Sequence, residues 1–350
     1  SYVTLGHIYL RLKEFNKALE NYKKVLELDP KRIRTKFNIS WCYFALSNLE
    51  LAFENYEFRK EKIIPEGRYK EVLNKFKSIE WNGHDLNNKK ILIICEQGYG
   101  DNINFFRYLF WLHEKFNVKI IFYAHKKLAH LFHNTPFQII SDLNDVNHID
   151  YHQHLLSLPR IYYKESKKFE KNINYININQ IKDSYWKKKL SSFKKPVIAI
   201  NWQGDHRYTY DDMRSIPLSY FNDTLNNENF EFISLQKNFG SEQIKKNNFE
   251  NLLIDFSKEI DSGENAFEDT ISILKNVECV ITSDTAIAHL AGTLNVKTFL
   301  LLAFNPEWRW YIELNHKCFY PNMNIIQQSK FNDWKGVFHE LNKRLEKKDF

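Results

Sequence analysis

Several residue types that would place this chain in a particular class are scarce. Among 350 residues the cysteines are only Cys42, Cys95, Cys279 and Cys318, which lie far apart without paired spacing. This pattern favours reduced thiols over disulfides, and therefore a cytoplasmic protein. No apolar run approaches the ~20 residues of a membrane span, and no signal peptide opens the chain. Ser1 is not an initiator methionine, which indicates a fragment or a processed chain.

A strong excess of one charge is also missing. The 50 basic and 43 acidic residues give a formal net charge of +7, which favours an anionic ligand or an acidic surface without requiring nucleic acid. Lysine runs such as Lys187–Lys189 are explained by solvated helix faces. The length allows two domains and a smaller module.

The chain begins with an internal repeat. Four positions correspond at an offset of 34 residues: Gly6, Tyr9, Ala18 and Tyr22 are matched by Ser40, Tyr43, Ala52 and Tyr56. This offset is that of tetratricopeptide repeats, and it predicts antiparallel helices near 3–13, 17–28, 33–46 and 49–62. The repeats at 1–63 indicate either a groove for a peptide or protein, or a rigid spacer or dimerisation element. Because two repeats rarely suffice alone, the array either continues before Ser1 or packs against the next part of the chain.

After a linker at 64–88, containing Pro65, Gly67 and one more helix, strands and helices alternate. Strands at 91–95, 118–123 and 137–141 and a helix at 102–116 predict a Rossmann-like domain at 89–192. The glycine turn at 96–101 lacks the third glycine of a dinucleotide site, and no acidic residue closes the second strand. Asp101 has two interpretations that can both hold: it caps the helix, and it places a carboxylate at the edge of a cleft.

Three histidines, His148, His152 and His154, cluster in the following segment. A metal site is conceivable, but neither cysteine nor an H-E-x-x-H pattern accompanies them. We therefore expect surface histidines in a polar loop.

A second Rossmann-like domain is predicted at 193–350. Its strands are expected at 197–201, 230–235, 252–255, 277–282 and 298–303, the last closing the sheet, with a helix at 266–275. Polar groups follow the strand ends: Gln203, Arg214, Gln236 and the turn Ser283-Asp284-Thr285. The turn supplies cap-type side chains to a helix rich in small residues, with His289 one turn in. Such a helix start suits an anion, and the strand-end groups together predict a nucleotide pocket.

Six short segments stand in an order that resembles a known family. They are E-Q-G-Y-G-D at 96–101, W-Q-G at 202–204, R-S-I-P-L at 214–218, S-L-Q-K at 234–237, S-D-T-A-I-A-H-L-A-G at 283–292 and P-E-W-R-W at 306–310. The chain resembles a bacterial tetratricopeptide-repeat glycosyltransferase whose catalytic part, from about Lys89 onward, is similar to the lipopolysaccharide heptosyltransferases of glycosyltransferase family 9. The resemblance implies an α/β GT-B fold, in which two Rossmann-like domains face a cleft, preceded by the all-α repeat module.

The resemblance also implies roles for individual residues. Asp101 matches the base that takes the proton of the acceptor hydroxyl, on an acceptor-side loop with Gln97, Gly98 and Gly100. Arg214 stands where the family has a lysine near the diphosphate. Gln236 stands where the family has a glutamate near the nucleoside, so base or ribose preference is expected to differ.

On the donor side, Asp284 and Thr285 match residues that contact the sugar and phosphates, and His289 matches a phosphate-binding histidine. The insertion at 206–213 and the segment at 306–310 are shared with repeat-bearing relatives, so heptose is not the expected sugar. These matches imply an inverting glycosyltransferase without a metal or other cofactor.

The expected partners are a nucleotide sugar and a protein or peptide acceptor chosen partly by the repeats, with a surface glycan as the second acceptor class. No nucleic acid and no transmembrane segment are expected, and a homo-oligomer is left open. The alternative is a non-catalytic repeat scaffold, or a pseudoenzyme that only binds nucleotide sugars.

Overall fold

The computed structural model describes residues 1–63, 67–170, 173–208, 210–317 and 319–347. Pro65 and Cys318, named in the predictions above, lie outside these ranges. The chain forms two compact units. The first unit comprises Ser1–Ala129, Thr135–Asn172 and Glu307–Phe319, and the second unit comprises His130–Asn134, Ile173–Pro306 and Tyr320–Phe350.

The repeat module opens the first unit. Its helices are α1 (Tyr2–Arg11), α2 (Phe15–Leu28), α3 (Ile33–Ala45) and α4 (Leu49–Tyr56). Glycine is needed at Gly6 because a Cβ there would lie 2.4 Å from Cε1 of the buried Tyr22. The helix predicted at 49–62 divides, since α4 ends at Tyr56 and α5 covers Arg59–Ile63.

A five-stranded parallel sheet forms the α/β part of the first unit. Its strands are β1 (Ile79–Glu80), β2 (Lys90–Ile94), β3 (Lys119–Tyr123), β4 (Gln138–Ile140) and β5 (Tyr151–His154), in the order β1-β5-β2-β3-β4. Its helices are α6 (Arg68–Lys75), α7 (Tyr99–Phe105), α8 (Tyr108–Lys115) and α9 (Leu158–Ser166). The helix predicted at 102–116 is therefore two helices, with the buried Arg107 between them donating through Nε to the Asn104 carbonyl at 2.8 Å.

The histidine cluster corrects a prediction. His152 and His154 do not lie in a surface loop but on β5, where their exposed fractions are 2% and 0%. Strand β5 pairs with β1 and β2 in the interior of the sheet, so its side chains on both faces are covered. Burial lowers the pKa of His152 and lowers that of His154 to about 4. His148 alone is exposed, 3.4 Å from Asp150.

A six-stranded parallel sheet organises the second unit. Its strands are β6 (Val197–Asn201), β7 (Glu231–Ser234), β8 (Ile254–Asp255), β9 (Cys279–Thr282), β10 (Thr298–Leu302) and β11 (Met323–Gln327), in the order β11-β10-β9-β6-β7-β8. The strand predicted to close the sheet is thus followed by an edge strand. Strand β11 escaped prediction because most of its residues are only half-buried, so it lacks an apolar run.

Helices cover this sheet and also cross the predicted domain boundary. The helices after α9 are α10 (Gln180–Leu190), α11 (Asp211–Arg214), α12 (Asn222–Leu225), α13 (Glu242–Lys246), α14 (Glu268–Lys275), α15 (Ala286–Thr293), α16 (Trp308–His316) and α17 (Trp334–Lys347). The second unit begins its main segment at 173 rather than 193, because α10 packs on α14, where Trp186 Nε1 donates to Asp269 at 2.8 Å. Helix α16 belongs to the first unit. Among the described residues, no helix has both the length and the apolarity needed to span a bilayer.

Candidate functional site

The sheet of the second unit has a topological switch point between β6 and β9. From β6 the chain continues to β7 and β8 on one side, then returns to β9, β10 and β11 on the other. In open parallel sheets the crevice for a ligand lies at the carboxyl ends of the strands, where the order reverses. Here those ends are Asn201 and Thr282, which are paired in register. Most of the polar residues predicted from the sequence follow these two strands.

Helix α15 starts at this switch point. Thr285 caps it, since its hydroxyl accepts from the Ile287 N–H at 3.3 Å and donates to Asn201 Oδ1 at 2.9 Å. The Ser283 hydroxyl is fully buried and has no hydrogen-bond partner among the described residues, so a ligand or water would satisfy it. Together with the dipole of a helix start, this turn is suited to bind an anion.

His289 lies one turn into α15 and is 4% exposed. Its Nδ1 is 2.9 Å from the hydroxyl of Tyr320, which therefore fixes the orientation of the imidazole. Tyr320 can approach because residue 292 is glycine: a Cβ there would lie 2.4 Å from Cδ1 of the ring. Gly292, one of the small residues of this helix, thus makes room for the partner of His289.

Arg214 reaches the same turn from the end of α11. Its Nε donates to Asp211 at 2.9 Å, one NH group donates to the Asp284 carbonyl at 3.2 Å, and the guanidinium stacks 4.8 Å above the Tyr208 ring. The side chain remains 25% exposed. A guanidinium offers five N–H donors in a planar fork that matches phosphate oxygens. The structure therefore brings Arg214 to the start of α15, as a diphosphate site requires.

Gln236 is linked by hydrogen bonds to Gln203, in the loop after β6. The amide oxygen of Gln236 accepts from the side chain of Asn201 and from the N–H groups of Trp202 and Gln203, at 2.8 to 3.2 Å. Its nitrogen donates to the carbonyls of Gln203 and Phe239. Both ends of this amide are thus engaged in holding the loop. Contact between Gln236 and a nucleoside stays a prediction. The hydrogen bonds that Gln236 makes in the structure hold the loop after β6.

Asp101 belongs to the first unit and lies in the first turn of α7. One carboxylate oxygen accepts from the Gly98 N–H at 2.9 Å, so the capping role is observed. The other oxygen forms an ion pair with Arg309, and the Asp101 side chain is 14% exposed. In the same loop Gln97 has a left-handed backbone, with φ of 58°, and donates to the Tyr56 hydroxyl at 2.9 Å, while Gly100 is the second residue of α7.

Three contributors escaped sequence reasoning. Arg309 lies in the P-E-W-R-W segment at 306–310, but its position there did not mark it as the partner of Asp101. Tyr320 carries no local signal, because its contact with His289 joins distant parts of the chain. Asn201 was placed as the last residue of a strand, and its amide ties Thr285 to Gln236.

Comparisons with known proteins match this architecture. The tetratricopeptide-repeat family model matches residues 1–32. A glycosyl transferase family 9 structure from Veillonella parvula is 12% identical, covers 76% of this chain and 98% of its own, and superposes with a TM-score of 0.59. The fold class predicted from the sequence is confirmed.

A second structure with this fold is the ADP-heptose LPS heptosyltransferase II of E. coli. It is 12% identical, covers 75% of this chain and all 100% of its own, and has a TM-score of 0.52. No curated protein matches the chain. The family model shows tetratricopeptide repeats at the start of the chain, and the two structures show a fold of the GT-B type over most of the rest.

Proposed function

We propose that this protein is a glycosyltransferase that moves a sugar from a nucleoside-diphosphate donor to an acceptor hydroxyl. The observation that carries the proposal is the grouping of Arg214, Ser283 and the start of α15 at the β6/β9 switch point of the second unit. There the guanidinium of Arg214 donates to the Asp284 carbonyl beside the start of α15. The imidazole of His289, one turn into that helix, is oriented by Tyr320. The solved structures that share the fold are named as sugar transferases, which supports the same activity here.

Each residue has a role in the proposed reaction. Glycosyl transfer passes through an oxocarbenium-like state, in which the acceptor loses a proton and the diphosphate departs with growing negative charge. Asp101 takes the proton, while Arg214, His289 and the N–H groups of α15 stabilise the leaving diphosphate. Because protein groups supply the positive charge at the diphosphate, the reaction is proposed to be metal-independent. Single displacement inverts the anomeric carbon, and a retained configuration would refute the role of Asp101.

The acceptor is proposed to be a protein or peptide selected partly by the repeats, with a surface glycan as the second class. The enzyme is proposed to act in the cytoplasm, because three of its cysteines are buried free thiols. ADP-heptose, named for one matched structure, belongs in the donor panel, although a different sugar is expected.

The test begins with donor binding and slow hydrolysis by the whole chain. Thermal shifts with ADP, UDP and GDP identify the nucleoside, since a ligand at 100 times its Kd stabilises by about 2.7 kcal/mol. A panel of matching nucleotide sugars, incubated without acceptor, then shows which one releases nucleoside diphosphate. If neither shift nor release occurs with any nucleotide, the proposal is refuted.

Two variants then separate the two halves of the mechanism. Asp101→Asn should bind the diphosphate normally and lose about 10²- to 10⁴-fold in turnover. Arg214→Met should weaken diphosphate binding about 10- to 100-fold, because it removes charge-assisted hydrogen bonds. Arg344→Met is the matched control, since Arg344 pairs only one turn away with Glu340 on α17. Normal turnover by Asp101→Asn would remove this carboxylate from the mechanism.

The second candidate function is a nucleotide-sugar-binding scaffold without transfer. The contacts of Asp101 favour this function. One carboxylate oxygen accepts from the Gly98 N–H and the other pairs with Arg309, so both oxygens are engaged. A scaffold would show the thermal shift with no release of diphosphate from any donor, and Asp101→Asn would change neither.

A further inference from the structure

The segment P-E-W-R-W at 306–310 carries no role in the mechanism so far. Although it lies in sequence between β10 and β11 of the second unit, its residues from Glu307 onward belong to the first unit and open α16. Arg309 is 5% exposed, and it forms ion pairs with Asp101 and with Glu307. The guanidinium also lies 5.7 Å from the ring centre of Phe105, on the same helix as Asp101. A buried cation thus pairs with the proposed catalytic carboxylate.

Trp308, next to Arg309, is packed between the repeats and α7. It is 1% exposed. It stacks on Phe44 of α3, with ring centres 4.3 Å apart, and on Phe105 of α7, at 5.7 Å. Tyr56 of α4 also contacts it at 4.9 Å, and the Arg309 guanidinium lies 4.7 Å above its ring. The repeats therefore form one wall of the pocket that holds Arg309.

The loop that carries Asp101 is held by the repeat side as well. Arg59 on α5 donates to both oxygens of Glu96, at 2.7 and 3.1 Å, and neither side chain is more than 2% exposed. Tyr56 accepts from Gln97 at 2.9 Å. Both residues before Gly98 in this loop are therefore anchored to helices at or directly after the repeats.

We propose that Arg309 is the positioning residue of Asp101, and that the repeats keep Arg309 in place through Trp308. This inference rests on the proposed function, in which Asp101 is the base. Arg309 holds the carboxylate ionised and turned so that Gly98 occupies one oxygen while the other faces the guanidinium. The repeat module is then a structural part of the acceptor half of the enzyme rather than a separable recognition arm.

The physical reason is the sign of the charge. A cation within about 4 Å of a carboxylate favours the ionised form and lowers the pKa of the carboxyl group by about 1 to 3 units. Asp101 is ion-paired with Arg309, and Arg309 is ion-paired in turn with Glu307. Removing Arg309 therefore makes Asp101 take up a proton at higher pH, and a protonated carboxyl cannot act as a base.

The test compares Arg309→Met and Arg309→Lys with a control, Lys167→Met, in the whole chain. Lys167 pairs with Glu50 of the repeats at an exposed position, so its loss removes a cross-module ion pair without touching the Asp101 loop. With the nucleotide sugar selected by the panel, Arg309→Met should lower kcat about 10- to 100-fold and leave KM for the donor unchanged. The acidic limb of its pH–rate profile should move to higher pH by about 1 to 3 pH units.

The remaining variants separate charge from geometry. Arg309→Lys keeps the charge but loses the planar fork, so it should keep the wild-type acidic limb with an intermediate kcat. The double variant Asp101→Asn with Arg309→Met should turn over no more slowly than Asp101→Asn alone, because Arg309 acts only through Asp101. Phe44→Leu should lower kcat in the direction of Arg309→Met, whereas Val25→Ala, a core truncation elsewhere in the repeats, should not.

A measurement independent of turnover keeps the inference distinct from the proposed function. In protein labelled with ¹³C at aspartate carboxyls, the signal lost in Asp101→Asn belongs to Asp101. Its titration should move upward by about 1 to 3 pH units in Arg309→Met. An unchanged titration together with a wild-type rate overturns the inference. If no nucleotide sugar is turned over by the wild type, the proposed function fails, and the titration still decides whether Arg309 controls Asp101.

Discussion

Gly292→Ala is a prediction in which two physical effects have opposite signs. Gly292 lies inside α15, where alanine is favoured over glycine by about 0.8 to 1 kcal/mol in helix propensity. Judged from the helix alone, the substitution should stabilise the protein. The added Cβ would, however, lie 2.4 Å from Cδ1 and 2.5 Å from Cγ of Tyr320, distances at which atoms must move.

The clash should win because neither partner can easily retreat. Tyr320 is 2% exposed, and its hydroxyl is bound to His289. Overpacking of this kind costs about 1 to 3 kcal/mol, and loss of the hydrogen bond adds about 1 kcal/mol. After subtracting the gain in helix propensity, we expect a net loss of about 1 to 3 kcal/mol. If the His289 imidazole turns away, ADP or the diphosphate selected by the panel should bind about 10-fold more weakly.

Urea denaturation followed by circular dichroism, with calorimetric titration of the diphosphate, measures both effects. Gly263→Ala is the matched control, because a Cβ at Gly263 meets nothing within 4 Å. Tyr320→Phe keeps the ring in contact with Gly292 and removes only the hydroxyl, so it isolates the bond to His289. The packing argument is refuted if Gly292→Ala raises the denaturation midpoint, as helix propensity alone requires.

Two further predictions concern charges buried in the first unit. Arg59→Met should destabilise by about 3 to 5 kcal/mol, because it leaves Glu96 buried without its cation, whereas Lys167→Met should cost at most about 1 kcal/mol; equal denaturation midpoints would contradict the burial of this pair. Burial lowers the pKa of His154 to about 4, so below pH 6.5 the unfolded chain takes up a proton that the folded chain refuses. Stability should therefore fall from pH 6.5 to pH 4, by about 3 kcal/mol from this group alone, and urea midpoints of His154→Phe should decline less steeply than those of the wild type.

Sequence alone was sufficient wherever the signal was local. The 34-residue offset predicted the repeats because a repeat packs on its neighbour through the same few positions. The apolar run ending at Thr282, followed by Ser283-Asp284-Thr285, predicted a strand, a turn and a capped helix, and all three are observed. These features depend on hydrogen bonds and side-chain contacts within a few residues, so the order of amino acids carries them directly.

Tertiary structure decided which distant residues meet. The sequence placed His152 and His154 in a surface loop, and pairing of β5 with two neighbours buried them instead. It offered no partner for Asp101 or His289, and the fold supplied Arg309 and Tyr320. Such contacts depend on the order of strands in a sheet and on which helix packs where. Local spacing does not encode them, because residues far apart in the chain become neighbours only when the whole unit has folded.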